Sequence, residues 1–256
     1  MISAFDALAA GYDSQFTTTT IGALMRRAVW RRCAVRFAPG ARVLEMNCGT
    51  GEDALWLVQH GVHVLATDSS PAMLQIAAHK LAAAQGPATA QCQRLAWEEL
   101  ASFNAGPFDG ALSNFGGLNC VADRRAAARA LAAKLRPGAA AIVVVMGPTV
   151  PWEWAWFLAH RNPAAAFRRL KRAGIQWSGI TIQYPSIREL CRAFAPGFRV
   201  LRVAAIGALL PPPYVETWLG RSPRLLAALD RWERRLEDVW PLPQLADHYL
   251  LELERV

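Results

Sequence analysis

The stretch Val43–Leu44–Glu45–Met46–Asn47–Cys48–Gly49–Thr50–Gly51 constrains this chain more than any other. A short apolar run ends near an acid, a turn of small residues follows, and Glu52–Leu57 then shows helical apolar spacing that stops at Gly61. That order predicts strand, loop and helix. Small residues in such a loop let backbone N–H groups approach a ligand at the positive end of a helix. A second apolar run, Val62–Thr67, ends at Asp68. A carboxylate in that position suits a bidentate hydrogen bond to a ribose diol.

The rest of the chain supplies a sheet around this loop. Strands are predicted at 41–46, 62–67, Thr89–Leu95, Phe108–Ser113 and 139–146, alternating with helices at 51–60, 71–84 and Arg124–Leu135. Ser70 is the expected N-cap of the helix that opens with Pro71, and Arg136–Pro137–Gly138 is expected to turn into the fifth strand. Such alternation implies a parallel sheet covered by helices, with ligands at the carboxyl ends of the strands. Before it, residues 1–37 read as helical, with a break at Thr17–Thr20 and a second helix over Ile21–Phe37. After it, Pro148–Trp177 is aromatic and basic and is expected to fold as helices over the strand ends. Ile180–Tyr184, Phe198–Ile206 and Ala246–Glu254 read as strands, Ser186–Phe194 and Leu225–Val239 as helices.

Composition narrows the function classes. Of 256 residues 53% are apolar and 19% charged, enough for a sizeable core and against global disorder. No apolar run approaches the roughly 18–20 residues that span a bilayer, and Met1–Asp6 shows no basic segment leading into an apolar one. The five cysteines are scattered, with no CxxC pair. This argues against a metal site or disulfide framework and for a cytoplasmic protein. The net charge of +8 is concentrated in arginines at Arg26–Arg42, Arg161–Arg172 and Arg221–Arg235. Such stretches suit either an acidic partner or solvated helix faces, and Asp230 and Glu233 within the last favour solvated faces.

On these motifs the sequence resembles the class I S-adenosylmethionine-dependent methyltransferases over most of residues 5–147, and more weakly in the terminal strands. The family's acid and alternating glycines correspond to Glu45–Gly51, with Asn47 in place of the first glycine. Asn is the next best residue for a left-handed backbone, so the loop can keep its shape. Asp68–Ser69–Ser70–Pro71–Ala72–Met73–Leu74 matches the second motif, and the Arg136–Pro137–Gly138 turn is also family-like. The resemblance implies a Rossmann-like, doubly wound α/β fold. Its seven-stranded sheet is mostly parallel with a reversed last strand. On that frame 1–37 is a helical cap, 41–146 the cofactor-binding core, and 147–180 and 207–245 lid insertions. Residues 181–206 and 246–256 carry the terminal strands of a single 1–256 domain.

The resemblance also implies S-adenosylmethionine as cofactor and S-adenosylhomocysteine as product. It places Asp68 on the ribose, Ser69, Met73, Ala96 and Trp97 near the adenine, and Glu45, Asn47, Cys48, Gly49 and Gly51 in the loop. Tyr12 would cover the methionine end, and Asn114 would meet the cofactor or a polar substrate group. Phe115, Asn119, Trp152 and Trp154 are candidate acceptor contacts. His160 and His248 are candidate bases, although a lone histidine is more often structural. The stretch Ser113–Cys120 lacks the Asn/Asp–Pro–Pro–aromatic motif of amino-methylating enzymes acting on nucleobases and protein amides.

The resulting expectation is a methyltransferase acting on a small, apolar or aromatic acceptor, as a monomer or homodimer. Donor and acceptor would react by in-line displacement, through proximity and orientation. Three alternatives stay open. An RNA methyltransferase draws on the charge. A non-catalytic cofactor-binding module could use the same fold. An NAD(P) oxidoreductase could use Gly49–Ala54 as a dinucleotide fingerprint.

Overall fold

In the computed structural model, residues 5–84, 86–215 and 222–256 are described. Residues 1–4 of the expected leading helix and 216–221 of the second insertion, with Arg221, lie outside the described residues.

The leading helix breaks where expected. Thr19 caps α1 (Thr20–Arg36) by accepting the Gly22 N–H at 3.0 Å. The chain then alternates through β1 (Arg42–Met46), α2 (Glu52–Gln59), β2 (His63–Asp68), α3 (Pro71–Ala82), β3 (Ala90–Arg94), β4 (Phe108–Ser113), α4 (Arg124–Lys134) and β5 (Leu135–Met146). Ser70 caps α3 through Met73 N–H at 3.2 Å, with Pro71 at its first turn. The sheet order is β3-β2-β1-β4-β5-β9-β8, where β8 is Phe198–Ile206 and β9 is His248–Arg255. β1 to β5 pair in parallel, whereas β9 runs antiparallel to both β5 and β8. The last strand, β9, thus lies between β5 and β8. The strand order reverses between β1 and β4, and ligands bind open sheets at such a switch point.

Two expectations are corrected here. Arg136–Pro137–Gly138 is not a turn before the fifth strand. Leu135 already pairs with Phe108, and a bulge at this level, with Gly138 at φ 79°, restores the pairing at Ala140 with Gly110. Pro148–Trp177 is not wholly helical. After α5 (Pro151–Ala159), β6 (Ile175–Trp177) pairs with β7 (Ile180–Ile182) in a hairpin apart from the main sheet. The sequence signal was present in Ser178–Gly179. Both residues adopt positive φ, as a two-residue hairpin turn requires. α6 (Ile187–Phe194) follows.

Period-two alternation sends Val43, Leu112 and Val144 to one face of the sheet and Leu44, Ala111 and Val143 to the other. The first face packs on Ile21, Met25 and Val29 of α1, the second on Leu131 of α4 and Phe194 of α6. Each such side chain, fully buried, contributes about 1.5–3 kcal/mol. The arginines of the first basic stretch are largely absorbed by this packing. Arg32 and Arg36 reach the buried Glu252 on β9, Arg31 pairs with Glu237, and Arg26 with Asp53.

Candidate active site

A cavity of about 310 Å³ opens at the carboxyl ends of β1, β2 and β4. It is lined on one side by Asn47, Cys48, Gly49, Asp68, Ser69, Met73, Ala96 and Trp97. Tyr12, Asn114 and Phe115 complete the set of sequence-expected residues brought there.

The loop after β1 is held by backbone and side-chain contacts that its residue types make possible. Asn47 takes φ 53°, the left-handed conformation expected of a glycine substitute. Its side chain donates to Asn114 O at 2.7 Å and accepts from Ser113 Oγ at 2.7 Å, tying the β1 loop to the end of β4. Asp68 is 7% exposed, and its two oxygens accept Gly49 N–H at 2.9 Å and Ser70 N–H at 2.8 Å. Burial pushes its carboxyl above the usual range, against the pull of those N–H groups. Ser70 is the helix cap, so Asp68 is not needed for that role and its remaining lone pairs are available to a ligand.

A second buried network faces the same cavity. Asp53 accepts from Arg26 Nη1 at 2.5 Å, Trp30 Nε1 at 2.6 Å and Asn114 Nδ2 at 2.9 Å. The Arg26 guanidinium also lies 5.0 Å from the Phe115 ring centre and 5.6 Å from that of Phe16. Phe115 holds φ 47°, an uncommon conformation for a bulky residue. Its ring meets Phe16 edge-on at 4.8 Å and His248 at 5.2 Å. The leading segment closes over the loop through Asp13, which accepts from Thr50 Oγ1 at 2.6 Å and Lys80 Nζ at 3.1 Å. Asp6 similarly reaches Ser70 Oγ and Ala72 N–H.

Several expected site residues lie elsewhere. Glu45 is 1% exposed beneath the loop and does not line the cavity, because β1 carries it into the sheet. Its Oε2 has no hydrogen-bond partner, and burial, reinforced by the Asp53 charge, raises its carboxyl well above the usual range. Gly51 is spent on packing, since a Cβ there would come within 2.9 Å of Ala77 Cβ. Ala96 N–H is taken by Glu99 Oε2 at 2.9 Å, so its backbone donor is not free for an adenine. Trp97 Nε1, by contrast, is buried with no partner. Cys48 behaves as a filler, its thiol raised well above the ordinary value by burial and by Glu45.

On the acceptor side, Asn119 is fully buried and its amide is consumed by Met146 N and O and Gln183 O. It is a bracket between β5 and the hairpin rather than a substrate contact. Trp152 and Trp154 do not reach the cavity. The inward position of α5 is Glu153, which pairs with Arg168 at 2.6 Å and Arg169 at 2.7 Å, so the indoles are turned aside and Trp154 packs on Phe167. The same pairs, with Arg169–Asp247 at 2.6 Å, consume part of the Arg161–Arg172 charge. His160 is exposed and bonds to Trp156 O at 2.8 Å. His248 stands behind Phe115, with Nδ1 2.9 Å from Asp247 Oδ2.

Sequence reasoning missed Arg26, Asp53, Glu52, Met146, Ile180 and Ile182, all of which line the cavity. The first three sit in helices whose inward faces cannot be told from solvated ones by charge alone. The hairpin isoleucines were legible only through the Ser178–Gly179 turn.

The residues fit a doubly cationic, zwitterionic nucleoside better than a dinucleotide. Glu52, Asp53, Asp68 and Glu98 line the cavity, with Arg26 as the counter-charge. The carboxylates in the first turn of α2 are each held by a cation, Glu52 by Lys80 at 2.8 Å and Asp53 by Arg26 at 2.5 Å.

A family model described as a methyltransferase domain matches residues 43–138, which span β1 to the start of β5. Over that stretch the chain is similar to methyltransferase domains. Demethylmenaquinone methyltransferases from Mycobacterium bovis and Mycobacterium tuberculosis are 35% identical over 145 residues, 55% of this chain and 56% of theirs. The chain thus aligns with about half the length of these curated relatives. In fold it is similar to a putative S-adenosylmethionine-dependent methyltransferase from Listeria monocytogenes. That likeness has a TM-score of 0.63 at 16% identity over 92% of this chain and 99% of the other. A mycolic acid cyclopropane synthase crystallised with S-adenosylhomocysteine shares the fold at TM-score 0.58 and 16% identity, over 90% of this chain and 84% of the other. The seven-stranded sheet with its reversed last strand is the one expected from the sequence.

Proposed function

We propose that this protein transfers a methyl group from S-adenosylmethionine to a small, largely apolar acceptor. The observation that carries the reading is the two-sided lining of one cavity. Carboxylates and Arg26 gather at the β1–β2 side, while Phe115, Met146, Val121, Ile180 and Ile182 supply an apolar remainder.

When bound, the cofactor supplies a methyl group already activated on a sulfonium sulfur. The chain's own residues bind, orient and exclude water. Asp68, fixed by two N–H groups, accepts the ribose hydroxyls. Met73, Leu95 and Trp97 offer the apolar surface, and the buried, unpartnered Trp97 indole N–H offers a donor for the base. Arg26 answers the cofactor carboxylate, and Asp53 and Glu52 answer its positive groups. Tyr12 and Phe5, carried by the leading segment, shield the cavity from water. Phe5 is itself backed by Trp177 of the hairpin at 5.5 Å. Water exclusion strengthens each of these electrostatic contacts. The lid role therefore falls to residues 5–17 and the hairpin. None of the described residues of 207–245 lines the cavity.

The RNA alternative loses support from the internal ion pairs of Arg168 and Arg169. The first test is calorimetric titration with S-adenosylhomocysteine, with NADH and NADPH in parallel. Micromolar binding of the first alone is expected, and binding of a nicotinamide cofactor instead overturns the reading. Radiolabelled methyl transfer to a panel of apolar phenols, quinones and thiols then tests the acceptor. Demethylmenaquinone belongs in that panel because the relatives' name carries it. Transfer to RNA but to no small molecule refutes the small-acceptor assignment.

A further inference from the structure

The second insertion carries a helix that buries two acids beside its leucines. In α7 (Pro223–Leu236) the buried positions are Leu226, Asp230 and Glu233. Glu233 is turned inward to accept the consecutive N–H groups of Gly207, Ala208, Leu209 and Leu210. Glu237, just beyond the helix, pairs inward with Arg31 and Arg202. The acids that appear to neutralise Arg221–Arg235 in the sequence are therefore mostly inside the molecule. Arg234 pairs with Asp230 while staying half exposed, and Arg224, Arg231 and Arg235 are exposed.

What the helix presents outward is basic and aromatic. At 3.6 residues per turn, Arg224, Arg231 and Arg235 form one row, with Leu225 and Trp232 in the row beside it. Leu225 is 45% exposed and Trp232 55%, and the turn beyond the helix adds Val239 at 50% and Trp240 at 65%. The Arg235 guanidinium lies 5.5 Å from the Trp232 ring centre, so charge and indole share one surface. Large apolar side chains grouped like this on a water-facing helix indicate an interaction surface.

We propose that this face docks on an anionic phospholipid bilayer. Indoles favour the headgroup level, aliphatic neighbours enter the acyl boundary, and arginines are drawn to anionic headgroups. Leu225 and Val239 decide between lipid and nucleic acid. Neither can stack on a base or bond to a phosphate, and both gain by leaving water. Among the described residues no helix is long and apolar enough to cross a membrane, so this contact is peripheral. The inference does not depend on the acceptor assignment, though a bilayer would be a source of apolar acceptors.

The test is co-sedimentation of the full chain with large unilamellar vesicles of phosphatidylcholine, with and without phosphatidylglycerol. The wild type is compared with W232A/W240A and R224Q/R231Q/R235Q. Wild-type protein is expected to bind the anionic vesicles and to release them as salt rises, with about tenfold or greater weakening in each variant. S-adenosylhomocysteine titration of each variant should match the wild type, which shows that the variants are folded and keeps this test separate from the cofactor reading. No binding to anionic vesicles overturns the proposal, as does equal binding by wild type and both variants. Binding of a single-stranded RNA oligonucleotide through these residues without vesicle binding overturns it too.

Discussion

Asp68→Asn separates the ribose-binding role of this residue from its role in holding the loop. The wild-type carboxylate accepts one N–H on each oxygen, from Gly49 at 2.9 Å and Ser70 at 2.8 Å. An amide of the same shape has one accepting oxygen, so its NH₂ group must face one of those donors. Losing one hydrogen bond to a charged acceptor costs about 1.5–3 kcal/mol. At about 2.1 cal/mol/K of unfolding entropy per residue, that lowers Tm by roughly 3–6 °C for a chain of this size, leaving the fold intact. Losing the charged acceptor for a ribose hydroxyl costs a comparable amount in binding, so S-adenosylhomocysteine affinity should fall about 10- to 150-fold. Calorimetry reads the affinity and thermal unfolding reads the stability. A pH series adds a sign. Burial raises the Asp68 carboxyl above its ordinary range, so wild-type affinity should decline as pH falls through that raised value, and the Asn variant should lack that decline. A drop in Tm with affinity within about twofold of wild type would show that Asp68 only organises the loop, and the ribose assignment would be withdrawn.

Three further outcomes follow from the same geometry. Asp53→Asn leaves Arg26 buried without its counter-charge, and stability should fall by about 3 kcal/mol in urea denaturation; a loss under about 1 kcal/mol would mean the pair is replaceable by water. Gly117→Ala places a Cβ 2.1 Å from Asn47 Cγ, which its bonds to Asn114 and Ser113 hold in place. Cofactor binding should be lost in calorimetry while circular dichroism stays native, and wild-type affinity would show that the loop yields. Burial raises the Asp247 carboxyl, but Arg169 and His248 more than reverse this and leave it well below the ordinary range. The stability it supplies is therefore complete above the unfolded pKa near 3.8 and is lost as pH falls below it. Asp247→Asn should flatten that acid limb in a Tm-versus-pH series, and an unchanged limb would refute the assignment.

The sequence determined the elements whose signals are local. An apolar run ending in a small-residue turn must leave a sheet at that point. Asn47 and Gly49 permit the backbone that the turn needs, and Ser70–Pro71 start a helix in almost any context. Asp68 was legible because its place at a strand end is fixed by those neighbours. Elements whose direction depends on what packs against them were not legible. Glu153 and Glu233 look like surface charges in sequence, and only the surrounding arginines and loop N–H groups make burial affordable. The same inward turn moved Trp152 and Trp154 away from the cavity and put Trp232 into solvent. Arg26 and Asp53 are 27 positions apart, and the crossover connections bring both to the cavity. Hydrophobic period and turn chemistry act over a few residues, so they are written in the sequence. Which polar side chain finds a partner inside depends on strands and helices distant along the chain, and the folded molecule decides it.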